Sequence, residues 1–257
     1  YAVQVDAQNV RGMPVLIDGV GDTGYFPDVK VDPATKQIAI AFHDFSTKSL
    51  KFYLAAQLQT GVTIETIDTA YGSAPAGIAL SPDGASAYVA LGGRGELRRY
   101  SVASRAQTGA LALGPNPRGV AVSADGARVL VTRFLSPQHH GEVWDVNAAG
   151  MTLNRAIRIP KIGGDANRDT TASGKGVANQ LAAVAISPRS ARAFIPATKP
   201  NSERGLLIHA SQDLDQDNTV RNLLVELDPA GASAAERFRR AIDIDNSDSA
   251  SAVASVC

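Results

Sequence analysis

The sequence predicts an all-β fold, a β-propeller of four-stranded antiparallel blades, because a turn-forming segment recurs, short alternating strands surround it, and helical periodicity is nearly absent. Residues 75–84 (PAGIALSPDG) recur 42 residues later as 117–126 (PRGVAVSADG). Diverged copies begin near residues 29, 184 and 253. Repeats of about 40–50 residues, lengthened in places by insertions, are typical of propeller blades.

Each repeat is predicted to contain a hairpin turn. In 81–84 (SPDG), the proline fixes φ, Asp83 accepts backbone hydrogen bonds, and Gly84 adopts a positive φ. The short apolar run before the turn suits the crowded inner strand of a blade, and alternating segments follow it. The four strands predicted around this turn are 77–80, 87–91, 96–102 and 109–113.

The same pattern predicts strands in the flanking repeats: 127–132, 141–146 and 154–159 downstream, and 37–42, 50–54 and 62–67 upstream. Residues 233–240 are predicted to form a short helix in a loop. Complete blades are expected at 21–72, 73–114, 115–178 and 179–248, with partial blades at 1–20 and 249–257. This arrangement favours a fragment of a longer ring. The alternative is a small closed ring, in which the two partial blades join and remove the exposed sheet edges.

Composition argues against several classes of partner. The 25 Lys and Arg residues balance 25 Asp and Glu residues, so nucleic acid is not expected as a partner. No apolar run approaches the roughly 18 residues that a membrane-spanning helix requires. Cys257 is the only cysteine, which excludes an internal disulfide and a cysteine-based metal centre within this chain.

At the PxGxAxSxDG turns and their strands, over 74–160, the chain resembles the bacterial YVTN-type, or surface-layer-type, propeller repeats. Residues 134–248 resemble a subgroup of secreted bacterial propellers, through 140–144 (HGEVW), 174–187 and 217–221 (DNTVR). Members of that subgroup often carry a c-type cytochrome module similar to di-haem peroxidases. The chain contains no CxxCH motif, so the resemblance places any haem chemistry beyond Cys257 and implies an extracytoplasmic location: periplasmic, secreted or at the cell surface.

Residues 21–25, 39–44 and 50–52 resemble repeats of sialidase-like exported propellers. The sialidase aspartate box is not reproduced in 81–84, which argues against glycosidase activity. Propeller lactonases share the general repeat, without a distinctive signature in this sequence.

A calcium site is one interpretation of the alternating carboxylates Asp213, Asp215 and Asp217, because calcium prefers oxygen ligands. The segment is not an EF-hand, since it lacks the glycine at the sixth position and has Leu224 at the twelfth. The alternative is a solvated loop between strands. Residues 243–248 (DIDNSD) allow the same two interpretations.

Histidines suggest two further sites. His139 and His140, beside Glu142, could ligate a transition metal, but neighbouring strand residues face opposite sides, so a shared metal requires a kinked loop. His43 and Asp44 could act in general acid–base chemistry, with a surface turn as the alternative. Trp144 is expected to pack in the core or between blades.

The long insertions 161–179 and 200–219 are predicted to form a partner or ligand face, because functional residues gather on long loops held by a rigid scaffold. A phosphate loop is not predicted at Lys175, since Gly176 follows where Ser or Thr is required. The residues assigned to this face are Lys175, Asn179, Arg204 and Asn218.

These observations favour a non-catalytic binding or scaffold module of an exported bacterial protein, which binds a protein or small ligand on one rim and positions a redox domain. No catalytic set and no cofactor other than calcium are expected in this chain. The alternative function is a calcium-dependent propeller hydrolase of the lactonase type. A structural surface-layer component is a third hypothesis.

Overall fold

The computed structural model describes residues 23–31, 38–44, 46, 49–55, 65–163, 175–200, 220–244 and 253. These residues form four antiparallel sheets of four strands each, and within every sheet the strands follow one another in chain order. The sheets are named blades A to D. The predicted all-β fold with four-stranded antiparallel blades is confirmed.

Blade A contains β1 (Thr23–Val31), β2 (Ile38–Asp44), β3 (Ser49–Ala55) and β4 (Glu65–Ile67). Blade B contains β5 (Pro75–Leu80), β6 (Ser86–Leu91), β7 (Glu96–Ser101) and β8 (Gln107–Ala112). Blade C contains β9 (Pro117–Val122), β10 (Arg128–Arg133), β11 (Gly141–Asn147) and β12 (Thr152–Ile159). Blade D contains β13 (Ala185–Ile186), β14 (Ala193–Pro200), β15 (Val220–Leu227) and β16 (Phe238–Asp243).

The four sheets lie within the four ranges expected for complete blades. The predicted partial blades at 1–20 and 249–257 fall outside the described residues, except for Val253.

The hairpin turn of the repeat has the predicted chemistry. Gly84 N donates to Ser81 O at 2.9 Å, and Gly84 has a φ of +69°. The Asp83 carboxylate accepts hydrogen bonds from Ser81 Oγ and from Ala85 N. Residues 123–127 of the next blade repeat these contacts, so the recurring motif encodes one local structure.

The predicted helix at 233–240 is too long. The helix α1 spans only Ala234–Arg237, and it is capped by Ser233, whose Oγ accepts a hydrogen bond from Glu236 N. Phe238 adopts an extended conformation and begins β16, which pairs with β15. Pairing with the open edge of β15 outweighs the helical pattern, since it satisfies a whole row of backbone groups.

Apolar residues form one cluster at each junction between successive blades. Neighbouring residues in a strand point to opposite faces, so Val89 joins the cluster shared with blade A and Ala90 the cluster shared with blade C. A third cluster joins blades C and D. Trp144 is 3 % exposed in the B–C cluster, which confirms its expected packing role.

The first strands of successive blades, β1, β5, β9 and β13, contact one another in turn and form the inner edge of the fold. The upper end is defined as the end at which β6, β10 and β14 finish and the inner strands begin. The strand ends that flank residues 160–184 and 201–219 all lie at this upper end. Among the described residues, helical structure is too short to cross a bilayer.

Candidate ligand-binding site

An open groove lies at the upper end, where blades B and C meet. It is lined by the loop Gly92–Gly95 between β6 and β7, and by Ala112 and Gly114–Asn116, which lead into blade C. Leu113 N and Gly114 N both donate to Gly95 O, at 2.8 and 3.1 Å, and tie the two walls together. We call this surface the upper groove.

The local backbone requires glycine in the walls. Gly95 has a φ of +68°, and a Cβ atom there would lie 2.5 Å from Gly114 O. A side chain at this position would force the two walls apart. At Gly92, Gly93, Gly95 and Gly114 the groove wall is therefore bare backbone, without side chains that would fill the groove.

Arg118 lies beside the groove, near the start of the inner strand β9. Its guanidinium stacks on the Phe134 ring, 4.2 Å from the centroid. Phe134 is held in place because its N–H donates to Asn116 O at 2.9 Å, and Asn116 is part of the groove wall. Within the described part of the chain, the Arg118 side chain makes this ring contact but no hydrogen bond or ion pair.

A second charged group lies at the upper edge of blade C. Arg133 Nη1 donates to Glu142 Oε2 at 2.9 Å, and His140 Nε2 lies 3.9 Å from Glu142 Oε1. Both partners of the Arg133–Glu142 ion pair are largely buried, at 22 % and 12 % side-chain exposure. Arg158 is exposed and sits directly opposite Glu142 in the pairing of β11 with β12. Among the described residues, Arg133 is the arginine that forms an ion pair with Glu142.

Among the described residues, cationic side chains outnumber acidic ones at the upper end of blades B and C. Glu142 is neutralised by Arg133, and Glu96 is paired with Arg98 at 3.0 Å. The arginines at this end that make no ion pair among the described residues are Arg94, Arg118 and Arg158.

Of the residues assigned to the binding face, Lys175 and Asn179 are described. Lys175 is exposed and adjoins Gly176, which forms a two-way backbone bridge with Ile162. Asn179 Oδ1 accepts hydrogen bonds from Ser136 N and Gln180 N, both at 2.9 Å. Asn179 therefore fixes the connection before β13 to the loop that follows β10.

The remaining predicted residues lie outside the described ranges: Asp213, Asp215, Asp217, Arg204 and Asn218. Calcium binding there stays a prediction.

The structure gives other roles to several residues considered as chemical groups. Asp44 is fully buried and forms an ion pair with Lys51 at 2.9 Å, while Ser46 N donates to the same carboxylate. His139 is exposed. Within the described ranges, no three histidine, cysteine or acidic side chains are close enough together to hold a metal.

The upper groove was not predicted from the sequence. One signal in the repeat could have indicated it: the small Ala76 of the first copy is replaced by Arg118 in the second. A long cation at a repeat position that is otherwise occupied by a small residue is a departure that packing alone does not explain.

Known structures with the same architecture match the chain. The hydrazine synthase of Kuenenia stuttgartiensis superposes with a TM-score of 0.65 at 15% sequence identity, covering 96% of this chain and 60% of that one. A periplasmic gluconolactonase of Pseudomonas aeruginosa gives a TM-score of 0.56 at 16% identity, covering 94% of this chain and 62% of that one. The chain has a β-propeller fold.

The propeller spans less than two thirds of the length of these two structures. No protein-family model matches the sequence, and no curated protein is significantly similar to it. At these identities the structural matches establish the fold, while the function depends on the chain's own residues.

Proposed function

We propose that this propeller is a non-catalytic binding module, whose blades form a rigid scaffold and whose upper end recognises a partner protein or small ligand. The observation that carries the proposal is the different use of arginine at the two ends of the blades.

At the lower end, two arginines join neighbouring blades. Arg99 Nη1 donates to the carbonyl oxygens of Ala148 and Ala149, at 2.9 and 3.0 Å. Arg128 Nη1 donates to Pro229 O at 2.8 Å and to the buried Asp145 at 2.6 Å. These guanidiniums have partners within the fold, so their role is to hold the blades together.

At the upper end, the guanidiniums of Arg94, Arg118 and Arg158 form no hydrogen bond or ion pair with the described residues. Arg94 lines the upper groove, Arg118 adjoins it, and Arg158 lies at the same end of blade C. Cations without partners in the fold favour binding of an external, negatively charged group, because its hydrogen bonds replace only those to water. The strand ends that flank residues 160–184 and 201–219 lie at the same end, which supports recognition there.

Capture of partners from an extract of the source organism tests the proposal. The wild-type chain is compared with Arg94→Ala/Arg158→Ala at the upper end and with Arg189→Ala, an exposed arginine in the lower turn between β13 and β14. The proposal expects bound partners to be lost from the double variant and retained by Arg189→Ala. Loss from both variants, or from neither, contradicts it.

The alternative function is a calcium-dependent hydrolase of the lactonase type. Lactone and ester hydrolysis is measured with the chain after chelation and after reloading with calcium. Turnover that appears only in the reloaded sample contradicts the non-catalytic proposal.

We further propose an extracytoplasmic location in a bacterium, supported by the resemblance to secreted propellers; a structural neighbour is itself described as periplasmic. We extend this proposal to docking of the propeller onto a c-type cytochrome module. The competing hypothesis is that the protein is a structural component of a surface layer. Cell fractionation tests the location. Assembly of the purified protein into ordered sheets would favour the surface-layer role.

A further inference from the structure

The upper groove leaves few hydrogen-bond donors other than arginine available for a ligand. The backbone N–H groups of Gly92 and Gly93 donate to Ala74 O and Ser73 O, at 2.9 and 3.0 Å. Those of Arg94 and Gly95 both donate to Leu91 O. These amides are engaged in holding the wall, so a ligand that seeks donors meets the side chains of the arginines and of Asn116.

Arg118 is not one of the lining residues, but it follows the groove wall directly in sequence and its N–H groups make no hydrogen bond among the described residues. It adjoins the groove through Pro117, because a Cβ atom on Gly92 would lie 3.4 Å from Pro117 O. Stacking on Phe134 restricts the guanidinium to one plane without using its N–H groups. Arg94 lies in the opposite wall and is exposed.

A planar guanidinium matches an oxyanion with two parallel hydrogen bonds, and prior ordering reduces the entropy lost on binding. We infer that the upper groove binds the oxyanion of a small carboxylate- or phosphate-bearing ligand, with Arg118 as its principal donor and Arg94 as a second cation. The inference rests on the proposed binding role of the upper end, and it specifies the chemical class of the ligand.

The protein contains its own reporter of groove occupancy. Trp144 is the only tryptophan, and its Cζ2 atom would lie 3.3 Å from a Cβ atom on Gly114 in the groove wall. Tryptophan fluorescence therefore originates directly behind the groove. A ligand that orders or shifts this wall is expected to change the emission of Trp144.

The test titrates the full chain with citrate, with inorganic phosphate and with glycerol as a neutral control, at constant ionic strength. Binding is followed by calorimetry and by Trp144 fluorescence. The wild-type chain is expected to bind citrate, phosphate or both, and not glycerol. If only citrate binds, the preferred group is a carboxylate. If only phosphate binds, the preferred group is a phosphate.

The deciding variant is Arg118→Lys, which keeps the charge but removes the planar fork. Its affinity is expected to fall about tenfold or more, as for loss of a charge-assisted hydrogen bond. Phe134→Leu is expected to weaken binding in the same direction, because the guanidinium loses its stacking surface. Arg189→Lys, at the lower end, is the matched control and is expected to bind like wild type.

No binding of either anion by the wild-type chain overturns the inference, as does unchanged affinity in Arg118→Lys. Circular dichroism checks that each variant folds; if Arg118→Lys does not fold, Arg94→Lys and Phe134→Leu decide the question by the same criterion. The two proposals fail separately. If the upper-end double variant loses partner capture but the wild-type chain binds neither anion, the binding-module proposal stands and the oxyanion site is rejected. If the wild-type chain binds an anion but the double variant captures partners normally, the oxyanion site stands and the binding-module proposal is rejected.

Discussion

A Cβ atom on Gly77 would lie only 2.0 Å from the carbonyl oxygen of Arg118. The backbone of β9 thus packs directly against the Cα atom of Gly77 in β5. Only glycine leaves room for this contact, because any other residue would place a Cβ atom there. This contact explains the invariant third position of the two clearest repeat copies, Gly77 and Gly119. A Cβ atom on Gly119 would likewise meet the backbone of Ala183, at 2.7 Å.

Gly77→Ala is expected to destabilise the propeller by about 1–3 kcal/mol or more, since the added methyl group forces two backbones apart. Gly163→Ala is the matched control, because a Cβ atom at Gly163 meets nothing within 4 Å and its backbone is not in the left-handed region. Urea denaturation of both variants measures the effect. Equal stability of Gly77→Ala and wild type would show that the inner strands are not in close contact.

Thr132 links blade C to the connection that leads into blade D. Its Oγ1 accepts a hydrogen bond from Gly119 N at 2.8 Å and donates one to Leu181 O at 2.7 Å, and the side chain is fully buried. Thr132→Val keeps the shape but leaves two buried backbone groups unpaired, so the free energy of unfolding is expected to fall by about 1–3 kcal/mol. Thr152→Val, at an exposed position, is the control. A loss of similar size in both variants would remove the special role of Thr132.

Glu226 is 3 % exposed and receives hydrogen bonds from Arg192 and Arg240. The bond from Arg192, followed by that from Arg240, lowers the pKa of Glu226 despite the opposing effect of burial. A carboxyl whose pKa is lower in the folded state stabilises the fold above its unfolded pKa of about 4.3, and this contribution is lost as pH falls through the folded value.

Denaturation curves collected between about pH 6 and pH 3 are therefore expected to show a steeper loss of stability for wild type than for Glu226→Gln. At neutral pH the variant is expected to be less stable by about 1–3 kcal/mol, because two guanidiniums lose a charged acceptor. Parallel pH profiles for the two proteins would contradict this assignment.

Calcium binding by the acidic run at Asp213, Asp215 and Asp217 remains a prediction that can be tested directly. Calcium added to the chelated chain is expected to bind and to raise the melting temperature, because a ligand of the folded state stabilises it. The triple Asp→Asn variant is expected to lose both effects. Asp245→Asn/Asp248→Asn tests the second acidic run separately. Calorimetry without a binding signal in wild type would reject both sites.

The fold could be predicted because its determinants are local. The turn at 81–84 is specified by four consecutive residues, and the strands beside it by alternating patterns. The helix at 233–240 was predicted too long, because the pairing of Phe238 with Leu227 competes with its local helical pattern. The residues of this segment alone do not indicate that it will pair with β15.

The upper groove could not be predicted from the sequence. The long insertions indicated a functional end of the blades, but the upper groove brings together loops that are distant in sequence. Phe134 reaches Arg118 because β9 and β10 pair, and Asn116 then anchors it. Such contacts follow from the packing of the blades. The repeat motif predicts this packing, but it does not predict which side chains meet at the ends of the blades.

Hydrogen–deuterium exchange of the full chain, with and without whichever of citrate and phosphate binds more tightly, tests most directly whether the upper end is the recognition surface. Slower exchange is expected at 92–95, 113–118 and 134–136, with no change in the lower turns 81–86 and 123–128. Protection confined to the lower turns, or absent from the upper loops at saturating ligand, would contradict the account.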